Sequence, residues 1–175
     1  MGGYTVDRPP GEGWKAVVTE EEQKITFSRG GADGDVILNE VLVRANWAED
    51  KNLWKLSEQE LAKEYFKDER AGIRFGGILM SVKIEEDEYK EETIYVDNKK
   101  LYNGYFRYTT EKGDINFIVE QSMYLYFPPG YKNDDKFIVF LVTEAYKPER
   151  NELADLSVIL PVIKSLQLDL ERLNE

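Results

Sequence analysis

Three glutamates border or interrupt apolar, strand-like runs: Glu40 in Val36–Ala45, Glu120 in Ile115–Phe127 and Glu144 in Lys136–Tyr146, with Arg44 and Arg107 nearby in the same pattern. Two such carboxylates brought together could do acid–base work, provided burial raises the pKa of one so that it holds a proton while the other stays ionised. Strand alternation places polar residues on a half-wet face just as readily, so spacing alone leaves both readings open. Glu85-Glu86-Asp87-Glu88-Tyr89-Lys90-Glu91-Glu92 packs six carboxylates into eight residues. It could recruit a hard cation or dock a basic partner, or it is a solvated hairpin end. Asp33-Gly34-Asp35 has the opening of a calcium loop, but Val36 and Ile37 stand where further oxygens are required, which favours a solvated turn. Gly11-Glu12-Gly13-Trp14-Lys15-Ala16 matches the dinucleotide fingerprint on paper. It follows a proline pair and enters a strand, whereas the fingerprint needs a strand before and a helix after, so a turn is expected.

Aromatic residues offer a different kind of site. Tyr102, Tyr105, Tyr108, Tyr124, Tyr126 and Tyr131 are dense for a chain of this length. Tyrosine buries much area at low entropic cost on recognition surfaces, and it also packs well on pleated sheets beneath helices. From this group Tyr102, Tyr124 and Tyr126, together with Glu120, are the candidate partner-binding residues. Trp47 and Trp54 flank a strand-to-helix connection, where they could line a cleft or staple the loop to the core.

What is missing narrows the chemistry more sharply. The 175 residues contain no histidine and no cysteine, the side chains that carry most metal ligation, nucleophilic triads and proton shuttling near neutral pH. No Gly-x-Ser-x-Gly, P-loop, basic–aromatic nucleic-acid stripe or N-glycosylation signal occurs. A carboxylate-dependent hydrolase is the remaining catalytic reading, and it needs two acids within about 5–10 Å in one pocket. The expectation is a non-enzyme with no catalytic, cofactor or metal residues to assign. A net charge of −11 with scattered lysines and arginines makes nucleic acid and anionic membranes poor partners and a basic protein a better one. A small ligand or divalent cation is the alternative occupant.

The composition, 42 % hydrophobic and 13 % aromatic, describes one packed domain over residues 1–175 that buries about 70 % of its unfolded surface. No apolar run is long enough to span a bilayer. Val6 stands where the myristoylation pattern requires Ser or Thr. Met1-Gly2 would also suit the junction left by a removed export signal, so any membrane attachment is expected through a removed lipid anchor or signal. The expected compartment is extracytoplasmic, the periplasm or cell envelope, with the cytoplasm as alternative.

These groups need elements to hold them. Short strands are expected at Tyr4–Val6, Lys15–Thr19 and Lys24–Arg29, and a longer one at Val36–Ala45. Leu56-Ser57-Glu58-Gln59-Glu60-Leu61 is a capping box with Leu56 and Leu61 as its hydrophobic staple. A helix therefore starts after Ser57, buries Leu61, Ala62, Tyr65 and Phe66, and stops near Gly72. Strands follow at Met80–Glu85, Glu91–Val96, Leu101–Thr110, Ile115–Phe127 and Lys136–Tyr146, the last apolar on both sides and so central in its sheet. Leu153, Leu156, Leu160, Ile163 and Leu166 fall at near-helical spacing, and Pro161 predicts a kink or two short turns. Hairpin connections make the sheet mainly antiparallel. The fold class is α+β: an α/β/α sandwich with a mainly antiparallel sheet flanked by two helices.

The order and spacing of four segments resemble the PsbP/Mog-type superfamily, which includes small bacterial envelope lipoproteins. The segments are Tyr4-Thr5-Val6 with Pro9-Pro10 and Gly13-Trp14; Leu56 to Glu60; Leu101-Tyr102-Asn103-Gly104-Tyr105-Phe106-Arg107-Tyr108; and Ile163-Lys164-Ser165-Leu166. The resemblance spans nearly the whole chain. It implies the same α/β/α sandwich and an accessory role, since members bind other proteins, a photosystem complex in one branch and a small GTPase in another. The histidine sites of the photosynthetic branch have no counterpart here, and fold likeness transfers no functional residue.

Overall fold

The structure is a computed structural model, and it describes residues 3–30, 36–48, 50, 52–112, 115–132, 135–150 and 152–174. Its centre is a sheet of seven strands in the order β2-β3-β4-β8-β7-β6-β5, every neighbouring pair antiparallel. The strands are β2 (Lys15–Thr19), β3 (Lys24–Arg29), β4 (Val36–Asn46), β5 (Lys83–Val96), β6 (Lys99–Lys112), β7 (Ile115–Tyr126) and β8 (Phe137–Tyr146). Two further strands, β1 (Tyr4–Thr5) and β9 (Gln167–Leu168), pair with each other and tie the two ends of the chain together. The one long crossover leaves β4 in mid-sheet and returns at the far edge as β5. It contains helix α1 (Glu58–Met80).

Alternation along the strands builds two cores, one on each face. On one side Leu61, Ala62 and Phe66 of α1 pack on Tyr102, Phe106, Met123, Leu125, Phe137 and Val139. On the other, Val158 and helix α2 (Ile159–Ser165) cover Val41, Val43, Leu101, Tyr124, Phe140 and Val142. The α+β sandwich with two covering helices is therefore the architecture. As the sequence predicts, β8 is covered on both faces, from Phe137 at 0 % exposed to Tyr146 at 1 %. Helix α3 (Leu170–Leu173) closes the C-terminal end, with Leu173 buried.

Two boundaries differ from the sequence reading. Helix α1 runs eight residues beyond Gly72, through Gly76 and Gly77, because each glycine costs a helix interior only about 1 kcal/mol. Ser81 supplies the stop instead: at φ 55 it turns left-handed and returns its N–H to the carbonyls of Gly77 and Ile78. The acidic run 85–92 is no hairpin end. It lies inside the continuous strand β5, paired with β6 from Lys83↔Glu111 to Val96↔Lys99 through one bulge. β5 is an edge strand, where charge is favoured because it blocks pairing with another chain. Of the two expectations at Pro161 the two short turns hold: the apolar run is a 3-10 turn (Leu156–Val158) followed by α2, and Pro161 lies in the first turn of α2, where a backbone N–H has no intrahelical partner to lose.

Candidate functional site

A concavity of about 460 Å³ lies where α1 leaves the sheet uncovered beside β4. Strand β4 presents Arg44 and Asn46 to it, the connection to α1 adds Trp47 and Asp50, and α1 contributes Tyr65, Asp68 and Glu69. Leu53 and Leu61 supply the apolar wall. The capping box of α1 fixes the helix here: Ser57 Oγ accepts from the Glu60 N–H at 3.3 Å, and Glu60 accepts from the Ser57 N–H at 2.9 Å. Tyr65 and Glu69 then fall one turn apart on one helix face.

Arg44 is half-buried. Its Nη2 donates to the Tyr65 hydroxyl at 2.9 Å, while its Nε is buried without a partner. Asn46 Nδ2 donates to the same hydroxyl. Burial pushes the Tyr65 phenol above its ordinary range, against the pull of Arg44. Burial likewise raises the Glu69 carboxyl, and Arg44 pulls it back. Trp47 stands at the rim, 51 % exposed, with Lys136 Nζ 5.6 Å from its ring centroid. Trp54 instead donates Nε1–H to the Ala48 carbonyl at 3.0 Å and packs on the α1-side core. One tryptophan thus edges the cleft and the other staples the loop.

Glu120 and Glu144 do converge, on the opposite face of the sheet. They are register partners across β7 and β8, 2 % and 4 % exposed. Glu120 accepts from the Tyr105 hydroxyl at 3.1 Å and from the Tyr146 hydroxyl, with Arg107 Nε 3.8 Å away. Glu144 accepts from Asn39 Nδ2 at 2.9 Å and from Arg150. All four carboxylate oxygens are engaged, and little surface remains through which a substrate could reach them. Glu40 stands apart, opposite Thr143 on the α1-side face of β4. Burial raises its carboxyl pKa against the pull of Lys24.

The remaining candidates disperse. Tyr102, at 6 % exposed, donates to Glu58 at 3.3 Å and accepts from Lys100 at 2.7 Å beneath α1. Tyr124 and Tyr126 are buried in the α2-side core. With Glu120 they do not form one exposed surface, because alternation sends Tyr102 to one face and the other three to its opposite. Each of the six acids of the run 85–92 has a partner inside the domain. Glu86 forms a bidentate pair with Arg70 (2.8 and 2.6 Å), Glu85 meets Lys83 at 2.7 Å, Asp87 Thr109 at 2.8 Å and Glu92 Asn103 at 3.0 Å. Glu88 pairs with Lys90 and Glu91 with Tyr89. Among the described residues no group of three or more acids is arranged to hold a metal ion. Asp33-Gly34-Asp35 lies outside the described residues. Gly11 and Gly13 are turn residues at φ 92 and 82, as their context predicts. Among the described residues no helix is long and apolar enough to cross a membrane.

One feature escapes the sequence reading because it lies past the expected helix end. Phe75, Ile78, Leu79 and Met80 project from the last turns of α1 at 62, 75, 69 and 65 % exposure. The inward side of these turns is already occupied, Gly77 against Ile84 and Arg70 against Glu86, so the core does not need the outward residues. Phe75, Ile78 and Leu79 share one face at i, i+3, i+4 spacing.

No protein-family model matches the chain, and no curated protein matches it in sequence. Among solved structures it is similar to PA94, a Pseudomonas aeruginosa protein of unknown function, with a TM-score of 0.36 and 10 % identity over 87 % of this chain and 92 % of that one. It is also similar to the cyanobacterial PsbP of Synechocystis, with a TM-score of 0.38 and 11 % identity over 90 % of this chain and 93 % of that one. Likenesses at this level carry neither a family nor an activity to the chain.

Proposed function

We propose that the chain is a non-catalytic accessory domain that binds a basic protein partner through the apolar end of α1. The carrying observation is the group Phe75, Ile78, Leu79 and Met80, each more than half exposed on a helix whose inward face is already packed. Contiguous exposed apolar patches mark contact surfaces, because leaving them in water is unfavourable. The net charge of −11 favours a basic partner, whose approach it steers. The non-catalytic half is supported by the engagement of all four oxygens of Glu120 and Glu144. The double substitution Phe75→Ser/Leu79→Ser removes two exposed side chains and leaves the fold intact. Its expected effect is loss of the partner from affinity-purified native complexes; wild-type recovery would remove this reading.

An exported, envelope-attached setting belongs to the same proposal and is supported by the resemblance of the sequence segments to envelope lipoproteins. Fractionation of the native, full-length product tests it, with residence in the cytosol as the contrary result.

A further inference from the structure

The cleft beside β4 contains two donors that no acceptor engages. Arg44 Nε is buried with no hydrogen-bond partner, and a buried charged donor left unpaired is costly. The Tyr65 hydroxyl accepts from Arg44 and Asn46, and among the described residues it donates to none, so its proton is also available. Both groups line the same cleft. A carboxylate, with two acceptor oxygens, is the small group that suits a guanidinium N–H and a phenol O–H together.

The cleft nevertheless carries Asp50, Asp68 and Glu69, which would repel a simple anion. A simple cation would satisfy these acids and leave Arg44 Nε unpaired. A molecule bearing both charges a few ångströms apart meets both demands. The remaining wall, Trp47 with Leu53 and Leu61, is apolar and aromatic. A volume of about 460 Å³ falls in the usual range of small-molecule sites.

The geometry points to a binding site for a small zwitterion of the α-amino acid class. Its carboxylate accepts from Arg44 Nε and Tyr65, its ammonium faces Asp68 and Glu69, and its side chain lies against Trp47. This site is separate from the apolar end of α1, so it stands or falls independently of partner binding.

Calorimetric titration of the full chain with the free standard amino acids tests it, each hit being repeated as its N-acetyl and its carboxamide form. The expected result is saturable one-to-one binding of at least one free amino acid, weakened tenfold or more by either blocked form. Trp47→Ala, at an exposed position, should weaken the same ligand several-fold. Arg44→Lys, which keeps the charge and lacks Nε, should weaken it more without changing the circular dichroism. Absence of saturable binding across the free amino acids at millimolar concentration would overturn the proposal. So would a hit whose carboxamide binds as well as the acid, or one indifferent to both substitutions.

Discussion

Glu120 and Glu144 face each other directly across β7 and β8, both nearly excluded from solvent. Cross-strand neighbours hold their Cβ atoms about 4.5–5.5 Å apart, so two carboxylates share a small volume where like charges repel. What makes this tolerable is a ring of donors and cations: the hydroxyls of Tyr105 and Tyr146 and the charge of Arg107 around Glu120, and Asn39 and Arg150 around Glu144. The pair is a structural clamp on the centre of the sheet.

Removing one cation of the clamp leaves a buried charge uncompensated. Arg150→Met is expected to destabilise the fold by about 3–5 kcal/mol, and each kcal/mol lowers the melting midpoint of a domain of this size by about 2–4 °C. Adding Glu144→Gln should recover much of that loss, because the buried charge then disappears with its partner. Denaturant titration of both single variants and the double variant reads the coupling. A double variant as unstable as the sum of its parts would show that the pair is not coupled.

Gly104 lies under the ring of Phe66: a Cβ built there would come within 2.8 Å of it. Gly104→Ala should therefore lift α1 from β6 and cost about 1–3 kcal/mol by overpacking. Phe66→Leu in the same chain should offset part of the cost, and thermal unfolding of the four combinations measures it. An additive pair of losses would place the strain elsewhere.

The N-terminus of α1 depends on Ser57 and Glu60 satisfying one another's backbone N–H groups. Ser57→Ala should cost about 0.5–2 kcal/mol. It should also raise hydrogen exchange in the first turn before any change elsewhere.

Alkali offers a test of the tyrosine packing. Burial raises the pKa of Tyr4, whose hydroxyl donates to the carbonyls of Gln23 and Val43 at 2.7 and 2.9 Å. Burial, then the neighbouring Glu120, pushes Tyr146 up to about 12 from the ordinary 10.0. A phenol whose folded pKa lies above its unfolded one binds its proton more tightly when folded. Its contribution is complete below the unfolded value of 10.0 and is lost as pH rises toward about 12. Stability should be flat up to about pH 9 and fall beyond it, and ultraviolet titration should show phenols that ionise late or only on unfolding. A single phenolate transition at the ordinary value, with the fold retained, would contradict this.

Local signals were legible where the chain decides its own conformation. The capping box at Ser57, the doubly apolar run of β8 and the break between the strands ending at Val96 and starting near Leu101 concern neighbouring residues and are readable as sequence. The extent of α1 and β5 was not. Gly72 reads as a stop only if nothing beyond it rewards continuation, and Arg70 and Gly77 find their partners on β5, the strand that folds back along the helix immediately after it. The acids of β5 read as a loop because their partners, Arg70, Thr109 and Asn103, lie on other elements. The cleft was foreshadowed by Trp47 alone. Arg44, Tyr65 and Glu69 meet there only because the crossover returns α1 beside β4. The tyrosines at 102, 124 and 126 were identified by type, but alternation divides them between two cores.

Docking through α1 is tested most directly by a photo-reactive amino acid in place of Leu79 in the native cell, with Leu153, 68 % exposed on the segment leading to α2, as the control position. If the apolar end of α1 is the contact surface, position 79 yields a discrete adduct with one basic protein, weakened by Phe75→Ser, and position 153 does not. Equal labelling from both positions, an adduct only with a second copy of the chain, or one only with lipid would contradict it.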